Sequence, residues 1–206
     1  RPASVVKELM ENAVDAGADQ VTVVIQDAGR TLIQVIDNGC GMSPDQAVLC
    51  FERHATSKLQ SAEDLHNILT FGFRGEALAS IAAVAEVELR TRREEDEIGT
   101  VTLISGGEFR SQMPAACSKG SQFMVRNLFY NVPSRRKFID GDNSRLGSQI
   151  KSEFQRVALC NPEVEFELRQ NDALVYALPP TNRRGRIVDV VGKHVKQNLL
   201  DVEMDT

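Results

Sequence analysis

An acid and an amide one helical turn apart are the first residues in this chain that could do chemistry. In Glu8-Leu9-Met10-Glu11-Asn12, 3.6 residues per turn places Glu8 and Asn12 about 40° apart around a helix axis. By the same geometry Glu11 lies about 100° from Asn12 and is expected to face outward. Val5, Leu9, Ala13 and Ala16 form an apolar stripe, with Asn12 on its border. A carboxylate at the edge of such a stripe can orient and deprotonate a water. An amide oxygen one turn away is a hard ligand suited to Mg²⁺. The spacing alone does not establish either role, because E-x-x-x-N is common and most such faces are merely solvated.

A second group follows in Asp37-Asn38-Gly39-Cys40-Gly41-Met42, directly after the apolar run Thr31 to Ile36. An acid at the end of a buried strand is costly unless it has a partner. Glycines two residues apart allow close backbone approach to a ligand. A carboxylate in that niche could accept a hydrogen bond from an exocyclic amine such as that of adenine. Taken alone, the segment also fits a simple Asn-Gly turn.

The third group is Phe71-Gly72-Phe73-Arg74-Gly75-Glu76, which runs into the helical pattern Ala77 to Ala82. Backbone amides freed by glycine, placed at a helix start, suit phosphate. Upstream, Thr56-Ser57-Lys58 offers two hydroxyls and an ammonium group. Neither G-x-x-x-x-G-K-[ST] nor G-x-G-x-x-G is present, so Walker, kinase and Rossmann readings have no support.

The elements that must position these groups follow from periodicity. A helix is expected over 2–16, with Pro2 in its first turn and Gly17 just past its last. Residues 21–27 and 31–37 read as a hairpin. Helices are expected at 44–52, from about Arg74 to Ala83, and at 143–159, where Leu146, Ile150, Phe154, Val157 and Ala158 share a face. Strands are expected at 84–92, 98–105, 107–112, 121–127, 163–169 and 173–178. Residues 53–75 read as loop, and 179–184 as a boundary before a further unit.

Composition bounds the rest. The chain has 206 residues, 42% hydrophobic and 26% charged, with net charge −5. That is ordinary for a globular protein able to bury a core. It argues against a surface that is a nucleic-acid clamp throughout, though not against a local basic groove. Cys40, Cys50, Cys117 and Cys160, with His54, His66 and His194, show no zinc spacing. Isolated thiols fit a reducing compartment, and core positions are the simplest reading of them. No apolar run is long enough to span a membrane. The chain starts at Arg1, not methionine, and is read as a fragment.

In their order, E-x-x-x-N, D-x-G-x-G and a glycine loop opening a helix resemble one ATPase superfamily: DNA gyrase, heat-shock chaperones, histidine kinases and MutL. RPASVVKELMENAVDAGA, DNGCGM, RHATSKL, GFRGEALASIA and NVPSRRKF look like the MutL family of DNA mismatch repair proteins. The resemblance is strong over about residues 1–160. It implies an α/β (α+β) two-layer sandwich, a mixed β-sheet with helices on one face. It also implies an ATP-binding domain over 1–182 lacking its N-terminal segment, with 183–206 the truncated start of a second α/β domain.

Residue by residue, the resemblance makes Glu8 the general base and Asn12 the Mg²⁺ ligand. It makes Asp37 the reader of the adenine amine, with Gly39, Gly41 and Met42 beside the base. Thr56, Ser57 and Lys58 match a phosphate-side loop, and Gly72, Phe73, Arg74, Gly75 and Glu76 a phosphate-holding lid. Ser121 stands where the family often has threonine near adenine. The implied cofactors are ATP and Mg²⁺. The implied partners are other mismatch repair proteins, a second copy in a homodimer, and DNA, weakly and without sequence preference. Arg90-Arg92-Arg93, Arg135-Arg136-Lys137 and Arg183-Arg184-Arg186 are the candidate DNA contacts, though a solvated charged face is the preferred reading of each run. The implied location is cytoplasmic, or nuclear in a eukaryote. Two alternatives stay open: another enzyme of the superfamily, or a nucleotide- or DNA-binding module without turnover.

Overall fold

The computed structural model of the protein describes residues 1–53 and 76–200. Helix α1 (Pro2–Asp15) starts on proline and ends where Gly17 turns left-handed at φ +76. The Ala18 amide reaches back to the Ala13 carbonyl at 3.2 Å, which satisfies an end carbonyl. Its buried set is Pro2, Ala3, Val5, Val6, Leu9, Met10 and Ala13. That is wider than the expected stripe, and Ala16 is only half-buried. The cause is packing on two sides: α1 lies against the sheet and against helix α5 (Asn143–Cys160).

The sheet has eight strands: β1 (Gln20–Gln26), β2 (Leu32–Asp37), β3 (Glu86–Arg92), β4 (Gly99–Ser105), β5 (Glu108–Ala115), β6 (Gly120–Arg126), β7 (Glu165–Gln170) and β8 (Ala173–Leu178). Their spatial order is β5-β4-β3-β6-β2-β1-β7-β8. β1 and β7 run parallel and the other neighbours antiparallel, so the sheet is mixed. Burial alternates along β1, β2 and β3. Alternation means one covered face, and the helices supply the cover.

The expected face of α5, Leu146, Ile150, Phe154, Val157 and Ala158, is buried in full. Phe154 meets Phe166 of β7 edge to face at 6.1 Å. α2 (Pro44–Leu49) carries a capping box in which Ser43 and Gln46 satisfy each other's amides. α3 (Ala77–Ala82) is shorter than the expected helix, and Arg74 and Gly75 lie outside the described residues. α4 (Pro133–Ile139) was not expected as a helix. It buries Ile139 alone, so it carries no apolar period to read.

α6 (Arg183–Val191) begins on Asn182, whose side chain accepts from the Gly185 amide at 2.8 Å. Arg186 on this helix is fully buried. Its guanidinium donates to the carbonyls of Ala158, Asn161, Pro162, Val164 and Pro179 and sits over the Phe166 ring. Arg186 therefore staples α6 to the end of α5 and the start of β7. It is not available as a DNA contact, which corrects the reading of that basic run.

The cysteine expectation also needs correction. Cys50 is buried and Cys117 half-buried, but Cys40 and Cys160 are exposed free thiols. Among the described residues no helix is long and apolar enough to cross a membrane.

Candidate nucleotide site

The site starts from strand parity. On β2, Ile33 and Val35 point into the core, and the same parity carries Asp37 there. On β6, Ser121 shares the side of Phe123 and Val125. On β3, Thr91 continues the side of Val87 and Leu89. The register then sets the three in one row: Asp37 opposite Ser121, and Ser121 opposite Thr91. Three polar side chains thus end three apolar runs at the same rung of the sheet.

Asp37 is 8% exposed. Burial raises its pKa from 3.8 to about 6, against the opposing pull of the Gly39 and Ser121 backbone amides and the Lys119 ammonium. The Gly39 amide donates to Asp37 Oδ1 at 2.9 Å. Asn38 turns the other way and pins the start of β1. Its Oδ1 accepts from the Asp19 and Gln20 amides at 3.0 Å each, and its Nδ2 donates to Asp19 at 2.6 Å.

The glycines of this turn make room for the protein's own backbone. A Cβ on Gly39 would press on Ala16, the residue that caps the end of α1. Gly41, at φ +69, faces the Arg92 carbonyl so closely that no side chain fits. Gly120, at φ +116, stands in the same way against the Asp37 carbonyl.

Asn12, Ala16, Asp37, Met42, Leu78, Ser121 and Phe123 line one pocket. Its volume of about 20 Å³ holds a water but not a purine. The apolar part of its wall is Ala16, Met42, Leu78 and Phe123. Leu78 sits on α3, which directly follows residues 54–75. A larger cleft of about 350 Å³, between Pro2, Phe129, Phe138 and Leu146, shares no residue with this pocket; its acid and amide, Asp142 and Gln149, belong to none of the three sequence groups singled out above. The smaller pocket is the one that residues of the first two groups line.

Of the residues singled out from sequence, Asn12, Asp37, Met42 and Ser121 meet here. Glu8 is half-buried one turn before Asn12 and is not on the pocket wall formed by the described residues. Glu11 turns away from Asn12 but not into open solvent. It lines a groove against α5 with Glu153 and Arg156, 3.9 Å from Lys7. Glu76 pairs with Arg53 at 3.5 Å. Thr56, Ser57, Lys58, Gly72, Phe73, Arg74 and Gly75 lie outside the described residues. Thr91 was missed. Its signal was its place in the alternation Val87-x-Leu89-x-Thr91, where a polar residue takes a core position.

A family model described as "Histidine kinase-, DNA gyrase B-, and HSP90-like ATPase" matches residues 1–108, more than half of the chain. The chain belongs to this ATPase family. Within the family its relatives include MutL proteins. It is 56% identical over 206 residues to a DNA mismatch repair protein MutL of Phocaeicola vulgatus, and 54% identical to that of Bacteroides fragilis. It covers all of its own length and about a third (33%) of each relative. Among solved structures, the Aquifex aeolicus MutL ATPase domain complexed with ADP aligns with TM-score 0.74 and 30% identity, over 93% of this chain and 68% of that one. The N-terminal domain of a DNA repair protein aligns with TM-score 0.77 and 26% identity, over 93% and 56%. The eight-stranded mixed sheet with its helices is thus the fold of this ATPase family, and the chain is a MutL-type ATPase module.

Proposed function

We propose that the pocket below Asp37 binds the adenine of ATP and that Glu8 activates the water that cleaves it. The observation that supports this most directly is a buried carboxylate, Asp37, grouped with Asn12, Met42 and Ser121 in one pocket. A buried acid without a protein cation in contact suits a ligand that brings hydrogen-bond donors. The exocyclic amine of adenine is such a donor. The solved relative complexed with ADP is consistent with a nucleotide here.

Glu8, one turn along α1, would lie on the phosphate side and take the proton of the attacking water. Asn12 offers one amide oxygen to Mg²⁺. Among the described residues no cluster of three acidic, His or Cys side chains could hold a metal. Mg²⁺ keeps several waters and binds through phosphate oxygens with few protein ligands, so one amide oxygen would be a sufficient protein contribution. Thr56, Ser57 and Lys58, with Gly72, Phe73, Arg74, Gly75 and Glu76, would close over the phosphates. Ordering of 53–75 by the γ-phosphate would present a dimerising surface, a known switching device. In the intact protein this cycle would couple mismatch recognition to strand incision in the cytoplasm, with other repair proteins as partners.

DNA contact falls to fewer residues than the basic runs offered. Arg90 pairs with Glu88, Arg92 donates to the Cys117 and Asp96 carbonyls, and Arg93 pairs with Asp96. Arg136 donates to the Leu128 carbonyl and Arg184 to that of Leu199. Arg135, Lys137 and Arg183 stay exposed and are the residues we assign to weak phosphate contact.

The test is calorimetric titration of ATP with Mg²⁺ into the full-length protein, beside a phosphate-release assay. Glu8→Ala should keep binding and lose turnover. Turnover that survives Glu8→Ala would remove the base assignment, and binding that survives Asp37→Ala would remove the pocket.

A further inference from the structure

Thr91 does not line the pocket, yet two residues that do are hydrogen-bonded to it. Its Oγ1 accepts from the Met42 amide at 2.9 Å. The same atom lies 2.9 Å from the Gly120 carbonyl and 2.9 Å from the Ser121 hydroxyl. Thr91 is 1% exposed, so none of these bonds is exchanged with solvent.

A hydroxyl has one proton to give and two lone pairs to fill. The Met42 amide can only donate and the Gly120 carbonyl can only accept. If Thr91 donates to Gly120, it can accept from both Met42 and Ser121, and all three bonds form. If it donates to Ser121, the contact to Gly120 carries no hydrogen. Full satisfaction therefore turns the Ser121 proton toward Thr91 and leaves a Ser121 lone pair facing the pocket, beside the Asp37 carboxylate.

We propose that Thr91 is a positioning residue for base selection, a buried hydroxyl that fixes which way the Ser121 hydroxyl points and holds the Met42 turn against it. This rests on the nucleotide reading above. Two acceptors side by side favour a base that presents an amine. Adenine carries an amine where guanine carries a carbonyl oxygen. With its hydroxyl released from Thr91, Ser121 could rotate and donate to that oxygen, so discrimination would weaken.

The test uses the full-length protein, with ATP and GTP dissociation constants and thermal midpoints for Thr91→Val, Thr91→Ser, Ser121→Ala and the Thr91→Val/Ser121→Ala double variant. Thr91→Val should raise the ATP dissociation constant about ten-fold or more and shrink the ATP-over-GTP preference, while Thr91→Ser restores both. Turnover at saturating ATP should change by no more than about two-fold, the mark of lost uniform binding. In the Ser121→Ala background the Thr91→Val effect should largely vanish. An equal loss with and without Ser121, or an unchanged ATP-over-GTP ratio, overturns the proposal. If Thr91→Val does not fold, Thr91→Cys, a far weaker hydrogen-bonding group, gives the same comparison, and an unchanged ratio there is equally fatal. Failure of the wild type to bind ATP at all would refute the underlying pocket and is read separately.

Discussion

The Gly39 amide donates to Asp37 Oδ1 across 2.9 Å, so the turn closes onto the carboxylate it displays. That amide, together with the Ser121 amide and the Lys119 ammonium, does not offset burial, and the Asp37 pKa stands at about 6. The group proposed to read the ligand is thus one the fold would be more stable without. Asp37→Asn should keep the Gly39 contact, lose the buried charge and raise the thermal midpoint at neutral pH. The gain is bounded by roughly 3 kcal/mol, the worth of the pKa shift. The same variant should lose most ATP affinity, because the new amide presents a donor to a donor. Calorimetric melting beside nucleotide titration checks both, and unchanged ATP affinity would contradict the assignment.

The pH dependence has an unusual sign. The folded pKa, about 6, lies above the unfolded value of 3.8. Between these values the folded state holds a proton that the unfolded chain has released. Asp37's contribution to stability therefore falls as pH rises from about 4 to 6 and is flat above. Nucleotide affinity should run the opposite way. It should be flat above pH 6 and fall roughly ten-fold per unit below it, as the acceptor is protonated. Titrations from pH 5 to 8 in one buffer system, with melting at each point, would show both trends and their loss in Asp37→Asn.

Two glycine substitutions should differ in sign. Gly120→Ala forces a side chain against the Asp37 carbonyl at φ +116 and should cost about 3 kcal/mol or more. Gly147 lies inside α5 with open space around it. Gly147→Ala should stabilise by about 0.5–1 kcal/mol through helix propensity. Urea unfolding midpoints compare them directly.

Arg186→Leu should be among the most damaging single changes outside the pocket. It removes one donor from each of the carbonyls of Ala158, Asn161, Pro162, Val164 and Pro179, of which Ala158, Asn161 and Pro162 keep a backbone amide. The expected loss is about 3–5 kcal/mol, and Arg186→Lys should recover little because an ammonium lacks the planar fork. Arg183→Ala, on the exposed side of the same helix, should stay within about 0.5 kcal/mol. A denaturation series over the three variants tests this.

Part of the candidate site was legible in the sequence, for a local reason. Asn12 is placed by the helix period of α1 and Asp37 by the alternation Ile33-x-Val35-x-Asp37, while Glu8, one turn before Asn12, is off the pocket wall formed by the described residues. Both periods are short and survive without knowledge of the fold. α1, the β1–β2 hairpin and the face of α5 were readable in the same way. Thr91 and the close backbone approaches at Gly41 and Gly120 were not, because they depend on which strands become neighbours. Nothing in residues 86–92 says that β3 will lie against β6. Arg186 was misread for a related cause. A basic triplet looks solvated until the carbonyls that converge on one member are known.

The row Asp37–Ser121–Thr91 has a consequence for how the protein acquires competence. Each of the three faces the core only because of its strand's parity, and a slip of one residue in β6 would send Ser121 to the opposite face. A slipped molecule could still be compact and rich in strand, yet blind to the base. Ligand binding at this rung would then report the register of β6, which the amount of strand alone does not.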